Sequence, residues 1–151
     1  MNELIIENEF KRIELHLLDR SNWQLMQLTR AWAKSQPKAA GVYMLFENEK
    51  PIYVGESGSL SGRITDMLDS RHHTVRRALG EKRFYHIEGF RKATSSIKHP
   101  AHIELMVHEM LSSFSLSVLP IQIGRKEFEE YIFSKYQPEL NRKSKRGSVK
   151  A

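Results

Sequence analysis

Two short, apolar, β-rich blocks, residues 41–46 and 52–55, stand on either side of the polar run Glu47-Asn48-Glu49-Lys50. Blocks of this kind bounded by turn-forming residues predict two antiparallel strands joined as a hairpin. A hairpin constrains a chain because side chains alternate faces along each strand and cross-strand partners share a face. Gly41-Val42-Tyr43 opens the first block and Tyr53-Val54-Gly55 closes the second, so each strand carries a tyrosine. Tyr43 and Tyr53 share a face only if the connection holds an odd number of residues. A loop of about three or five residues around Asn48 is therefore expected, with Asn48 at positive φ.

Periodicity supplies the other elements. Residues 9–18 and 23–33 have helical spacing, the second with Leu25, Leu28 and Trp32 on one stripe, and Gln36-Pro37 ends it because the residue before proline is driven from the helical basin. A helix over residues 59–68 would bury Leu60, Ile64, Met67 and Leu68; a shorter one over 74–79 is closed by Gly80, and a strand follows at 83–87. Residues 100–114 read as a helix with Ile103, Met106, Met110 and Leu111 toward the core. A strand over residues 116–123 carries Pro120, which marks an edge or a bulge, and a helix over 126–136 stops before Pro138. The order predicts an α/β fold: a small core whose three-stranded mixed or antiparallel sheet is flanked by helices. Three parts are expected: a helical N-terminal extension over 1–40, a core domain over 41–141 and a basic, flexible tail over 142–151.

A chain of 151 residues suits one packed domain, and 40% hydrophobic with 28% charged residues is an ordinary globular mix. Cysteine is absent, which excludes disulfides and thiolate metal sites. The first residues carry acids where a signal peptide needs positive charge, and nothing approaches a membrane-spanning apolar run. No membrane partner and a cytoplasmic location are the expectations. The net charge of +6 is unevenly placed: residues 71–98 hold eight basic side chains opposed mainly by Glu81 and Glu88, and the segment after Asn141 holds no acid. Such patches suit a polyanion, and also a merely solvated surface.

Two charges look out of place for pure structure. Arg63 lies between Leu60 and Met67 on the apolar side of its predicted helix, and Glu129 is followed by Ile132, Phe133 and Tyr136 at helical spacing. A charge so placed must be paired, hold a metal or line a cleft, because desolvating it alone costs several kcal/mol. A partly buried salt bridge between Arg63 and Glu129 is the structural reading.

The paired triplets resemble those that name the GIY-YIG endonucleases, with valine for isoleucine in both. Arg63, ten residues after Tyr53, falls where that family carries its catalytic arginine; Glu129, twelve residues before Asn141 with Pro138 between, matches the family's closing helix with its metal-binding glutamate and terminal Pro-x-x-Asn. The resemblance spans residues 41–141. It implies that Tyr43 and Tyr53 face the scissile phosphate, that Arg63 binds a non-bridging oxygen, and that Glu129 holds one divalent cation, Mg²⁺ or Mn²⁺. Tyr53 would take the proton from the attacking water, Gly41 and Gly55 would shape the site, and Asn141 would tie down the end of the last helix.

The sequence departs from the family one helical turn after the arginine, where many members carry histidine and this chain has Met67. Ser70-Arg71-His72-His73 follows instead. One of the two histidines is the candidate base or proton relay, His73 before His72 because it immediately precedes the next helix; a hydrogen bond at that helix start or a phosphate contact is the alternative for His73. Arg71, His72, Arg76 and Arg77 are candidate phosphate contacts. His102-Ile103-Glu104 looks like part of a zinc-deaminase motif but has no cysteines to complete it, and His102 and His108 are six apart rather than four. Trp23 and Trp32 read as packing residues. The implied function is metal-dependent endonucleolytic hydrolysis of nucleic acid, DNA first, in a role such as restriction or defence. Cutting both strands of a duplex would favour a homodimer. The rival reading is a catalytically inactive nucleic-acid-binding module of the same fold, which would have no need of a carboxylate facing phosphate.

Overall fold

A computed structural model describes residues 3–142; residues 143–151 of the expected tail lie outside it. The chain runs α1 (Glu3–Leu18), a 3-10 turn (Arg20–Asn22), β1 (Gln24–Leu25), α2 (Arg30–Lys34), β2 (Gly41–Glu47), β3 (Lys50–Ser57), α3 (Leu60–Asp66), α4 (Thr74–Arg83), α5 (Ala101–Leu111), β4 (Ser115–Pro120) and α6 (Arg125–Tyr136). Among the described residues no helix is long and apolar enough to cross a membrane.

The sheet has four strands, not three, in the order β1-β4-β2-β3, and every pairing is antiparallel. The fourth strand comes from the segment expected to be helical over residues 23–33. There β1 pairs with β4, Leu28 takes a φ of 58°, and Thr29 starts the short α2 by accepting a hydrogen bond from the Trp32 amide. Leu28 and Trp32 are buried, but Leu25 is 65% exposed at the sheet edge, so the apolar stripe joined residues of two different elements. Trp23 stacks on Phe46 with centroids 3.9 Å apart, and Trp32 donates its indole N–H to Gln24, so both tryptophans pack as expected.

One face of the sheet presents Val42, Met44, Phe46 and Val54 to α1 and α6, which return Ile13, Leu17, Phe128 and Ile132. The opposite face presents Tyr43, Leu45, Tyr53 and Leu116 to Ile64, Val75, Leu79 and Ile103 of α3, α4 and α5. The sheet is therefore sandwiched between helices, and residues before Gly41 contribute both a strand and a covering helix.

The tyrosines do share a face, though not by the expected loop. Glu47 pairs with Lys50, leaving Asn48 and Glu49 as a two-residue turn, and Asn48 has a φ of 56°. A two-residue turn alone would set Tyr53 opposite Met44, on the face away from Tyr43. The register shifts between Leu45 and Phe46, where Ile52 is the extra residue of a β-bulge, and from there Leu45 pairs with Tyr53 and Tyr43 with Gly55. The bulge does the work expected of an odd loop.

α4 is longer than expected: it passes through Gly80, where a Cβ would fall within the His99 ring, and ends at Arg83. No strand forms at residues 83–87, because Arg83 closes the helix with ion pairs to Glu47 (2.8 Å) and Glu139 (2.9 Å).

Candidate active site

Tyr43 of β2 and Tyr53 of β3 lie with ring centroids 6.0 Å apart, and the His73 ring stands 5.4 Å from that of Tyr53. Glycine at position 55 follows from this packing, since Gly55 is the cross-strand partner of Tyr43 and any Cβ there would enter the tyrosine ring. Gly41 is held as closely: a Cβ would lie 2.5 Å from the Leu119 carbonyl oxygen and 2.7 Å from Leu60.

His73 is buried and caps α4: its Nδ1 accepts from the Val75 amide at 3.0 Å, and its Nε2 lies 2.8 Å from the Tyr43 hydroxyl. Burial, helped by the charges of Arg63 and Arg77, holds its pKa well below the usual histidine value, so the ring is neutral near pH 7. A neutral imidazole has one acceptor nitrogen and one donor. With Nδ1 accepting from the backbone, Nε2 carries the hydrogen and donates to Tyr43. The lone pair that a base would need is engaged at the helix start, so the geometry fits positioning of Tyr43 rather than the proton-relay role expected for His73.

Tyr43 is completely buried, and burial, then the neighbouring Tyr53, push its pKa well above 10. Tyr53 is raised too, again by burial first, but hydrogen bonds from Thr74 and Tyr43 and the charge of Arg63 all favour its ionised form. Of the two, Tyr53 is the phenol whose anion has support. The Glu129 carboxylate acts on both hydroxyls and opposes ionisation of each. It is half-buried on α6, directly after the core residue Phe128. Arg125, at the start of α6, reaches Glu56 of β3 at 3.2 Å and fixes the helix against that strand.

Arg63, on α3, keeps about a third of its side chain exposed (32%) and pairs with Asp66 at 3.2 Å. The same nitrogen donates to the His72 carbonyl at 3.1 Å, which ties α3 to the segment carrying His73. Asn141 caps the open edge of β3: its amide donates to the Val54 carbonyl and its oxygen accepts from the Val54 amide, both at 2.9 Å. Leu140 adds a backbone bond to Ile52, so the segment after α6 holds β3 on both sides of Tyr53.

The expected phosphate contacts divide. Arg76 is only 4% exposed and is paired with Glu104, which also accepts from Ser70 and from the His99 amide, so it cannot meet a phosphate at the surface. Arg71 is bound through two nitrogens to Asp69, and His72 is exposed. Arg77 is half-buried, with an Nε that has no hydrogen-bond partner among the described residues. Sequence reasoning missed Thr74, Asp66 and Glu104. Thr74 stands next to His73 at a helix start, which was the available signal; Glu104 gave none, because its partners are distant in the chain. Among the described residues no group of three or more His, Cys, Asp or Glu could enclose a metal ion. A single carboxylate suits a hard cation that keeps most of its water, such as Mg²⁺, rather than a closed nitrogen or sulfur site.

No family model matches the chain, and no curated protein does. Among solved structures, the fold is similar to GIY-YIG endonuclease domains, the family that the two triplets resemble. One is the GIY-YIG N-terminal endonuclease domain of UvrC from Thermotoga maritima bound to its catalytic magnesium, with 18% identity and a TM-score of 0.43, covering 78% of this chain and 100% of that one. Two point mutants of the same domain, with a bound catalytic divalent cation, match at TM-scores of 0.41 with 18% and 19% identity, each covering 78% of this chain and 99% of theirs.

Proposed function

We propose that this chain is a metal-dependent phosphodiester hydrolase of the GIY-YIG type that cuts nucleic acid endonucleolytically, with DNA as the first substrate to test. The observation that carries the reading is the bulge-set pairing of Tyr43 and Tyr53 on one face, with Arg63 and Glu129 both acting on their hydroxyls.

In this reading Arg63 binds a non-bridging oxygen of the scissile phosphate and offsets the charge that grows in the transition state. Tyr53, as phenolate, takes a proton from the attacking water; the new oxygen–phosphorus bond forms as the bond to the 3′ oxygen breaks, and that oxygen takes a proton from solvent, leaving a 5′ phosphate and a 3′ hydroxyl. Thr74 and Tyr43 hold the Tyr53 oxygen, and His73 holds Tyr43. Glu129 would hold one divalent cation, Mg²⁺ or Mn²⁺, which would supply positive charge against the negative charge that grows in the transition state. Burial, and after it the bare Glu129 carboxylate, hinder ionisation of the tyrosines, so the reading requires that this charge be countered during turnover. A binding module would gain nothing from a half-buried carboxylate whose charge bears on two buried phenols.

The test is to incubate the protein with labelled single- and double-stranded DNA and RNA, with Mg²⁺, with Mn²⁺ and with a chelator, and to map the product ends. Metal-dependent products with 5′ phosphates support the reading; binding without cleavage under every condition favours the inactive module.

A further inference from the structure

We infer that the cleft between α4 and the loop at residues 92–95 is a subsite for a second backbone phosphate of the same nucleic-acid strand, next to the one that is cut. The inference rests on the nuclease reading only for which polyanion enters. The cleft encloses about 390 Å³ and is lined by Thr74, Arg77 and Glu81 of α4, by Lys92 and the hydroxyl residues Thr94 and Ser95, and by Arg142. Of the eight basic residues between 71 and 98, Arg71, Arg76 and Arg83 are held by Asp69, Glu104, and Glu47 with Glu139. Arg76, though paired, also keeps two buried guanidinium nitrogens without a hydrogen-bond partner; Arg77 differs in lining the cleft with a half-buried guanidinium that no carboxylate pairs with among the described residues, its Nε likewise without a partner. Burial, then the like charges of Arg142 and Arg63, work against its ionised state. Guanidinium groups gathered this closely gain from an anion set among them, and arginine matches phosphate through two parallel N–H bonds. Glu81 is the acid of the cleft, and Lys92 already pairs with it at 3.5 Å.

Position gives the subsite its meaning. Thr74 lines the cleft and its hydroxyl also favours the ionised form of Tyr53, so the cleft and the tyrosine pair share one residue. A strand whose scissile phosphate meets Arg63 would carry its neighbouring phosphate toward Arg77 and Arg142.

The experiment measures binding and cutting separately. Binding of an oligonucleotide to the non-cutting Glu129→Gln protein is followed against salt for the parent and for Arg77→Ala, Lys92→Ala and Arg142→Ala. The expected result is that Arg77→Ala and Arg142→Ala each reduce the logarithmic salt slope by about one. In the Glu129-intact protein, a single neutral methylphosphonate moved along the substrate should weaken cleavage at one position beside the cut. That penalty should disappear in Arg77→Ala. Lys92 and Arg142 are surface residues, so their variants keep the test open if Arg77→Ala fails to fold. Slopes unchanged in all variants, or a methylphosphonate penalty undiminished in Arg77→Ala, overturn the subsite while leaving the nuclease standing. Altered slopes in a protein that never cuts overturn the nuclease reading and leave the subsite. If free inorganic phosphate competes as well as the oligonucleotide, the cleft is a simple anion site, and the inference fails.

Discussion

His73 Nε2 lies 2.8 Å from the Tyr43 hydroxyl while its Nδ1 accepts from the Val75 amide, so one buried ring joins the start of α4 to the middle of β2. The two bonds can be separated by substitution. Asparagine caps helices well but is too short to reach Tyr43, whereas alanine makes neither bond. His73→Asn should therefore be more stable than His73→Ala by about 1 kcal/mol, the usual worth of an N-cap. Urea unfolding of both variants checks this; equal midpoints would mean that the cap contributes nothing.

The same residue sets a pH dependence. Burial, with Arg63 and Arg77 nearby, lowers the His73 pKa in the folded state, while the unfolded chain keeps it near 6.5. Below about pH 6.5 the unfolded state binds the extra proton and the folded state does not, so stability falls as pH falls and is fully present above that value. Unfolding free energies from pH 8 to pH 5 should decline more steeply for the parent than for His73→Asn. Parallel curves would show that this imidazole is protonated in the folded protein.

Position 55 tests the tyrosine packing. Gly55→Ala places a methyl group inside the Tyr43 ring, and overpacking of this kind costs about 1–3 kcal/mol. Gly58 is the control, because a Cβ there meets nothing within 4 Å; Gly58→Ala should change stability by less than about 0.5 kcal/mol. Thermal melts decide, and similar losses at both sites would mean that Tyr43 does not lie over Gly55.

What the sequence reveals about this site depends on how local the cause is. Gly41, Tyr43, Tyr53 and Gly55 were legible because apolar runs around a polar turn announce a hairpin, and Asn48 does take the positive φ. The bulge at Ile52 was not legible, since an extra residue in a strand leaves the apolar pattern unbroken. β1 is two residues long and exists only through its pairing with β4, so no local signal marks it. Arg76 and Arg77 are neighbours with like side chains, yet one is buried on Glu104 and the other faces a cleft. Helical rotation separates such neighbours, but the acid that claims Arg76 lies 28 residues away.

Glu129→Gln keeps the shape of the side chain and removes its charge. Arg63 has Asp66 as an ion-pair partner and is 32% exposed, so loss of the Glu129 charge should not strand a buried cation. The variant should therefore escape the roughly 3–5 kcal/mol that an unpaired buried Arg63 would cost, and should fold as the parent does in the absence of metal. If Glu129 holds the divalent cation, two further changes follow. Adding Mg²⁺ at about 100 times its dissociation constant should stabilise the parent by about 2.7 kcal/mol, and the variant should show no such shift. Cleavage should drop by orders of magnitude while oligonucleotide binding persists. Glu127→Gln, on an exposed position of the same helix, should behave as the parent in every assay. The opposite pattern would identify Glu129 as a structural carboxylate: a lower melting temperature without metal, an undiminished Mg²⁺ response, and near-normal cutting per folded molecule.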